Sequence, residues 1–349
     1  MPNVPTIIPR FSWLLAACLL LFPTGSPYGE ALAAQRITAK TAPVIKPETT
    51  AGLRAFFQTL DYAWMSLDNG IPPLILEQIP DDINSSVNTR AKKKTFFMAL
   101  LPMVLLANQE IRHERQEIKL IFDRHKARAK EVGDRERIQI IAKRYGLRGR
   151  PLTDHRARRQ LLERVDTIPP ALVLAQAANE SAWGTSRFAQ MGNNLFGEWT
   201  FKPGTGLVPA GRPAGETYEV RVFSSIYQSI RSYMNNLNRN GAYRKLRRIR
   251  AELREKKKQV TGAALSKGLI NYSQRGEEYI EEITAMIRQN DLEQVNLAKL
   301  RQPGKELSTN IGTTGSGLFS TRNKLTGHLN LHIFEFEAIR VRHGISLSA

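Results

Sequence analysis

Cysteine occurs once in the 349 residues, as Cys18. A lone cysteine excludes an intramolecular disulfide framework, so the fold must be held by its core. Acidic residues are short against basic ones: 32 Asp and Glu face 51 Lys and Arg, a formal net charge of +19. That imbalance predicts a polyanionic environment, whether nucleic acid, anionic lipid or an acidic wall polymer. Long apolar runs are also missing. The apolar stretches at residues 11–22 and 96–106 are each too short to span a bilayer. There is no phosphate-cradling glycine loop, Ser181 lacks the Gly-x-Ser-x-Gly turn of a hydrolase nucleophile, and no internal repeat is apparent.

What is present begins with an export address. Arg10 is the only positive charge ahead of the apolar core at 11–22, which Pro23 and Gly25 end. Ala31-Leu32-Ala33 then offers the small-x-small pattern of signal-peptidase cleavage, giving a signal peptide over 1–33. Two alternatives stay open: an uncleaved anchor, and lipid attachment at Cys18, because Leu15-Ala16-Ala17-Cys18 resembles a lipobox. Against the second, Leu19, Leu20 and Leu21 carry the apolar run past Cys18. Cleavage after Ala33 removes one Arg and one Glu, so the charge stays at +19, and it removes Cys18 as well. The remaining chain is long enough for one catalytic domain with smaller appendages. Export makes nucleic acid the least fitting of the three polyanions.

Residues 34–50 are largely polar with two prolines and read as a flexible linker. Residues 53–80, with Phe56, Phe57, Trp64 and the turn Asn69-Gly70-Ile71-Pro72-Pro73, read as a segment that packs on the main domain. From 92 to about 131 the apolar spacing is helical, and Pro102 is expected to kink or split that long helix. Further helices are expected at 135–145, 156–164 and 171–180, the last started by Asp166 and Thr167 before Pro169-Pro170. A short strand at 217–223 follows, then helices through Ile226 and Leu237, over 242–258 and over 277–289. The tail from 296 changes character. It is rich in Ser, Thr, Asn and Gly over 308–317, strand-like over 329–341, and carries no visible chemistry.

The chemistry concentrates at 171–201. Glu180 closes an apolar helix whose preceding turn holds Ala175, Ala177 and Ala178, with Trp183 a turn later. A carboxyl kept beside an indole and away from water has a raised pKa, because desolvation disfavours its charged form. A carboxylic acid still protonated near neutral pH can protonate a glycosidic oxygen as the bond breaks, as lysozyme's acid does. Read alone, Glu180 could equally decorate a helix end.

The surrounding residues narrow that choice. Glu180-Ser181-Ala182-Trp183-Gly184 followed by Asn194-Leu195-Phe196-Gly197 resembles the signature of the bacterial glucosaminidases of glycoside hydrolase family 73. The Bax-like branch, exported proteins of Gram-negative bacteria, is the more similar. The resemblance extends upstream through 138–147 and Leu162-Glu163-Arg164-Val165-Asp166. Downstream it takes in 233–238, Ala242-Tyr243 and 272–279, so it covers about 90–295 and not the tail. It implies a mainly α (α+β) chain: a lysozyme-like catalytic domain at 91–295 with a small β lobe, preceded by a long helix. It also implies hydrolysis of β-1,4 bonds next to N-acetylglucosamine in peptidoglycan glycan strands, in the periplasm. Glu180 matches the family's acid and Tyr272 a tyrosine of its catalytic cleft. Trp183, Asn194, Phe196 and Trp199 would line the sugar groove, through amides that reach hydroxyls and aromatic faces that cover a pyranose. Phe196 could equally belong to the core.

A second carboxylate is harder to place. Glu216 and Glu219 flank Thr217-Tyr218 where family members often carry a β-lobe glutamate, and Glu219 is the favoured of the two. If neither serves, the substrate's acetamido group can act instead. Residues 243–258 hold nine Lys or Arg against two Glu, which reads as a solvated helix face attracted to anionic wall or membrane rather than as a nucleic-acid stripe. His328 and His332 lack the usual zinc-protease pattern, so no metal and no cofactor is read from the chain. A lytic transglycosylase shares the single-acid logic, and a non-catalytic wall-binding protein would keep the groove. Both remain alternatives to the hydrolase.

Overall fold

The computed structural model describes residues 38–302 apart from 65–66, 86–87 and 130. The expected signal peptide with Cys18, and the tail beyond 302 with His328, His332 and the strand expected at 329–341, lie outside the described residues.

The N-terminal segment is ordered earlier than its composition suggests. β1 (Val44–Ile45) pairs in parallel with β2 (Ile75–Leu76), Val44 opposite Ile75 and Ile45 opposite Leu76. Ala42 and Ile45 are buried, so the described part of the expected linker is structural: its apolar residues find a partner strand. Between the strands, α1 (Thr50–Thr59) starts where the Thr49 hydroxyl accepts the Gly52 N–H at 3.0 Å.

α2 (Thr89–Lys126) is one unbroken helix through Pro102. Proline removes the N–H that would bond the carbonyl four residues earlier, that of Met98. The Tyr62 hydroxyl donates to that carbonyl at 3.1 Å. The break expected from Pro102 is therefore repaired by a tyrosine of the N-terminal segment. Trp64 stacks on Phe97 of the same helix at 5.5 Å, which fixes the segment to the domain.

α3 (Asp134–Arg144) and α4 (His155–Arg164) follow, the second capped by Asp154. α5 (Pro170–Glu180) is buried from Pro170 to Ala178 on every side, as a central helix must be. Leu172, Val173 and Leu174, fully buried, each contribute about 1.5–3 kcal/mol by leaving water. Its start is not capped by Asp166 or Thr167. Asn108 of α2 brackets Ile168, accepting its N–H at 3.0 Å and donating to its carbonyl at 2.8 Å, and Asn296 accepts the Ala171 N–H at 3.0 Å.

α6 (Arg187–Gly192) leads into the small β lobe of β3 (Trp199–Thr200), β4 (Gly206–Leu207) and β5 (Glu219–Arg221). β5 lies between the other two and is antiparallel to both. α7 (Ile226–Arg239), α8 (Arg244–Glu255), α9 (Gly262–Ser266) and α10 (Glu277–Gln289) complete a mainly helical, lysozyme-like fold. α5 packs against α2, α9, α10 and the 3-10 turn Leu292–Leu297. Leu300 then bridges Ile71, and Arg301 donates to the carbonyls of Leu60, Asp61, Asn69 and Gly70. No described helix is long and apolar enough to cross a membrane.

The solvated face expected at 243–258 needs one correction. Arg247 and Arg250 of α8 are buried, and Arg250 donates to the carbonyls of Glu163 at 2.8 Å and of Asp166 and Thr167 at 3.1 Å. Long arginine stems fill the core side of this helix while their guanidinia satisfy the carbonyls that lead into α5.

Candidate active site

Glu180 is the last residue of α5, half-buried where that helix meets the surface. The chain then turns abruptly. Ala182, Trp183 and Gly184 all have positive φ, at 49°, 63° and 81°. Two non-glycine residues in the left-handed region cost about 1–2 kcal/mol each, so something must hold them. Ser181, fully buried, does so: its hydroxyl donates to the Ala177 carbonyl at 2.6 Å and accepts the Gly184 N–H at 2.8 Å. Gly184 is required twice over, because a Cβ there would also lie 2.7 Å from Ile79 and 3.1 Å from Phe96. The motif Glu180-Ser181-Ala182-Trp183-Gly184 is thus one acid followed by the turn that fixes its position.

A chain of hydrogen bonds reaches Glu180 from inside the protein. Tyr279 of α10 donates to Glu180 Oε1 at 2.6 Å. Gln176, one turn before Glu180 on α5, donates through Nε2 to the Tyr279 hydroxyl at 2.8 Å. The Tyr233 hydroxyl donates to Gln176 Oε1. Because the amide of Gln176 has one acceptor and one donor end, it fixes the direction of the whole chain toward the carboxyl. Burial pushes the Glu180 carboxyl above its ordinary range, against the Tyr279 and Asn179 hydrogen bonds, and the Glu282 charge adds to the rise.

Tyrosines wall the same place. Tyr272 stacks on Tyr279 at 5.2 Å with planes 10° apart, and Tyr243 lies 5.9 Å from Tyr272. Burial, reinforced by the Glu180 charge, raises the Tyr272 phenol well above its usual range. It is a neutral hydroxyl able to donate, and it lies 3.5 Å from the Phe196 carbonyl. Phe196 itself stacks on Tyr233 at 3.9 Å with planes 7° apart and is buried. Of the two readings open for Phe196, the ring belongs to the core and its backbone to the site.

Asn194 is 2% exposed. Its Nδ2 donates to the Glu198 and Arg221 carbonyls, both at 2.8 Å, and its Oδ1 accepts from Glu198 N at 3.0 Å and Phe196 N at 3.3 Å. Both donors and both acceptor positions are filled, which leaves none for a sugar hydroxyl. Asn194 knits the loop to β5 and so acts by position. Trp183 packs edge-on against Phe96 and Phe97 of α2, at 5.9 and 5.2 Å, with the Lys93 ammonium 4.7 Å from its ring. The desolvation of Glu180 comes with a tyrosine wall, where the sequence had suggested the indole.

Trp199 and Tyr218 stack at 4.5 Å in the β lobe. Glu219 sits in the same lobe with both oxygens taken: Oε1 accepts Gly204 N–H at 3.0 Å and Oε2 accepts Gly206 N–H at 2.8 Å. Those amides, with Gly204 the strongest, hold its carboxyl below the usual range. Glu198 is a third acid that the sequence reading passed over. It accepts from Ser232 at 2.6 Å and Arg221 at 2.9 Å, yet burial outweighs both and raises its carboxyl. Burial first, and then the charges of Glu180 and Glu198, raise the Tyr243 phenol above its usual range.

Gln176, Tyr233, Tyr243 and Tyr279 are the residues that sequence reasoning did not assign. Gln176 carried a usable signal: it is the one polar residue among positions 170–178 of that helix, placed at i−4 from Glu180 and so on the same face. Among the described residues, no group of three or more His, Cys, Asp or Glu is arranged to hold a metal ion.

A helical domain with a small β lobe, carrying a half-buried acid at the end of its central helix, is the domain type of a glycan hydrolase. Residues 156–292 match the family model described as mannosyl-glycoprotein endo-beta-N-acetylglucosaminidase. Over 209 residues, 60% of this chain and 73% of the other, the sequence is 34% identical to protein bax of Escherichia coli (strain K12). No solved structure matches the chain. The chain belongs to the glucosaminidase family, in the group that includes protein bax.

Proposed function

We propose that the protein is a peptidoglycan hydrolase that cleaves β-1,4 bonds next to N-acetylglucosamine, with Glu180 as general acid. The observation that carries this reading is the carboxyl of Glu180, half-buried and fed by the directed chain from Tyr233 through Gln176 and Tyr279. Burial raises the carboxyl toward the protonated form, and that form gives its proton to the leaving oxygen as the glycosidic bond breaks. The Tyr279 hydrogen bond strengthens as the carboxylate forms, so it favours the transition state over the ground state. General-acid assistance of this type is worth about 10²–10⁴ in rate.

Tyr272 contributes a neutral hydroxyl at the reacting sugar, and Trp199 with Tyr218 offers an aromatic shelf for a pyranose face. Trp183 and Asn194 support the groove from behind. Glu219, held by two amides, organises the β lobe, and the acetamido group of the substrate takes the part of a second carboxylate. The export reading of residues 1–33 places this reaction in the periplasm, and the basic surface favours approach to an anionic wall.

The test is digestion of purified peptidoglycan by the wild-type protein and by Glu180→Gln, with reduced products identified by mass spectrometry. Reducing N-acetylglucosamine ends from the wild type, absent with the variant, support the proposal. Because one acid also suffices for a lytic transglycosylase, anhydromuramyl ends would replace hydrolysis with that reaction. Binding without any product would leave a wall-binding protein.

A further inference from the structure

Away from the active site, a cleft of about 530 Å³ opens between α4, α8 and α2. Arg254 lies eleven residues beyond Tyr243, so it stands about 16 Å farther along α8 at the helical rise of about 1.5 Å per residue. Five arginines line the cleft: Arg115, Arg158, Arg159, Arg250 and Arg254. Three carboxylates, those of Glu163, Asp166 and Glu255, line it with them.

The arginines are held in place by the fold. Arg250 forms the floor, fully buried on the carbonyls of Glu163, Asp166 and Thr167. Arg115 donates to the carbonyls of Leu162 and, at 2.7 Å, Val165. Arg158 lies over the Phe122 ring at 4.6 Å and reaches the Leu152 carbonyl at 3.3 Å. Of the acids, Asp166 is already shared among Arg254 at 3.2 Å, Arg250 at 3.8 Å and Arg115 at 3.9 Å. Arg159 is exposed at the rim.

The excess among the lining residues is therefore two charges. A single carboxylate would leave most of that excess standing. A phosphate group with about two negative charges balances it, and guanidinium groups held in place by the fold supply the fixed positive charge that faces it. We infer that this arginine cleft is a binding site for a dianionic phosphate group, either free in solution or carried on a lipid headgroup. The exposed cations of α8 and the turn after it, Lys245, Arg248 and Lys256 among them, continue the positive field beyond the cleft.

Two probes test the site on the full chain at low ionic strength: calorimetric titration with sodium pyrophosphate, and flotation with phosphatidylcholine vesicles. The vesicles carry either phosphatidic acid or phosphatidylglycerol at matched surface charge. The variant is Arg158→Gln with Arg159→Gln, both lining the cleft and away from Glu180, with thermal melting to verify its fold. Saturable pyrophosphate binding that falls at least ten-fold in the folded variant is the expected result. Flotation with phosphatidic acid that is lost in the variant assigns the phosphate to a headgroup, and pyrophosphate binding without flotation assigns it to a soluble ligand. The inference is overturned if folded wild type takes up no pyrophosphate, if the variant binds it as well, or if both vesicle types float both proteins equally.

Discussion

Tyr279 and Glu180, 99 positions apart in sequence, meet at 2.6 Å with the phenol donating to the carboxyl. The contact opposes the effect of burial on the same group, since a bond to the charged form lowers a carboxyl pKa whereas desolvation raises it. Burial and the Glu282 charge push the carboxyl up, while the Tyr279 and Asn179 hydrogen bonds and the Arg275 charge pull it down.

In Tyr279→Phe the larger of the two hydrogen bonds that oppose burial is gone, and only that of Asn179 remains. Glu180 then binds its proton more tightly, and the alkaline limb of the pH–rate profile, where the acid is lost, moves to higher pH. A pH profile of peptidoglycan digestion checks this. A limb that stays put or moves to lower pH would count against Glu180 as the acid. The rate at the optimum should also fall by about ten-fold or more, because a charge-assisted bond to the developing carboxylate is worth about 1.5–3 kcal/mol.

Glu180→Gln should be more stable than the wild type once pH has risen through the folded pKa of Glu180. A carboxyl whose folded pKa is raised contributes stability that is complete below its unfolded value and lost as pH rises through the folded one. Above that window the wild type bears an ionised, half-buried group, and the amide removes it while keeping an oxygen for Tyr279. The expected gain is about 0.5–2 kcal/mol. At about 2–4 °C per kcal/mol for a domain of this size it is readable by calorimetry. The gap between the two proteins should close in acid.

Asp166→Asn should cost stability on a larger scale. The carboxylate is 4% exposed, and Arg250, Arg115 and Arg254 outweigh the upward push of its burial and hold it below the usual range. Removing its charge leaves buried Arg250 without a counter-charge, which costs about 3–5 kcal/mol in pairs of this kind. Stability from a depressed carboxyl is present above its unfolded pKa and lost as pH falls through the folded one. Urea denaturation should therefore show the penalty at neutral pH and a smaller one in acid.

Tyr62→Phe should destabilise by about 1 kcal/mol, since it removes the donor to the Met98 carbonyl. In a Pro102→Ala background the restored N–H can bond that carbonyl itself. The cost of Tyr62→Phe should then fall toward zero, giving a coupling of about 1 kcal/mol in a double-mutant cycle. Equal costs in both backgrounds would show that Tyr62 does not serve the proline break.

Local periodicity and caps made most helices legible: the expected spans at 156–164 and 277–289 fall within a residue of α4 and α10. Contacts between distant parts of the chain were not legible. Nothing near Pro102 announces Tyr62, and nothing near Ile168 announces Asn108. The motif pointed to Glu180, but Asn194, read as a sugar contact, is spent on the backbone of its own loop and β5, and Ser181 and Gly184, read with no role, hold the turn after the acid. A short polar side chain in a signature has the same spelling whether it faces ligand or backbone, and only its hydrogen-bond partners separate the two.

The bridge between Ile71 and Leu300, with the Arg301 guanidinium on the carbonyls of Leu60, Asp61, Asn69 and Gly70, bears on the order of synthesis. Residues made early wait for residues made more than two hundred positions later, so this clasp cannot close while the ribosome is still within the domain. A nascent chain remains unlocked at its leading edge until translation has passed residue 301. A fragment cut at 295 would never lock at all.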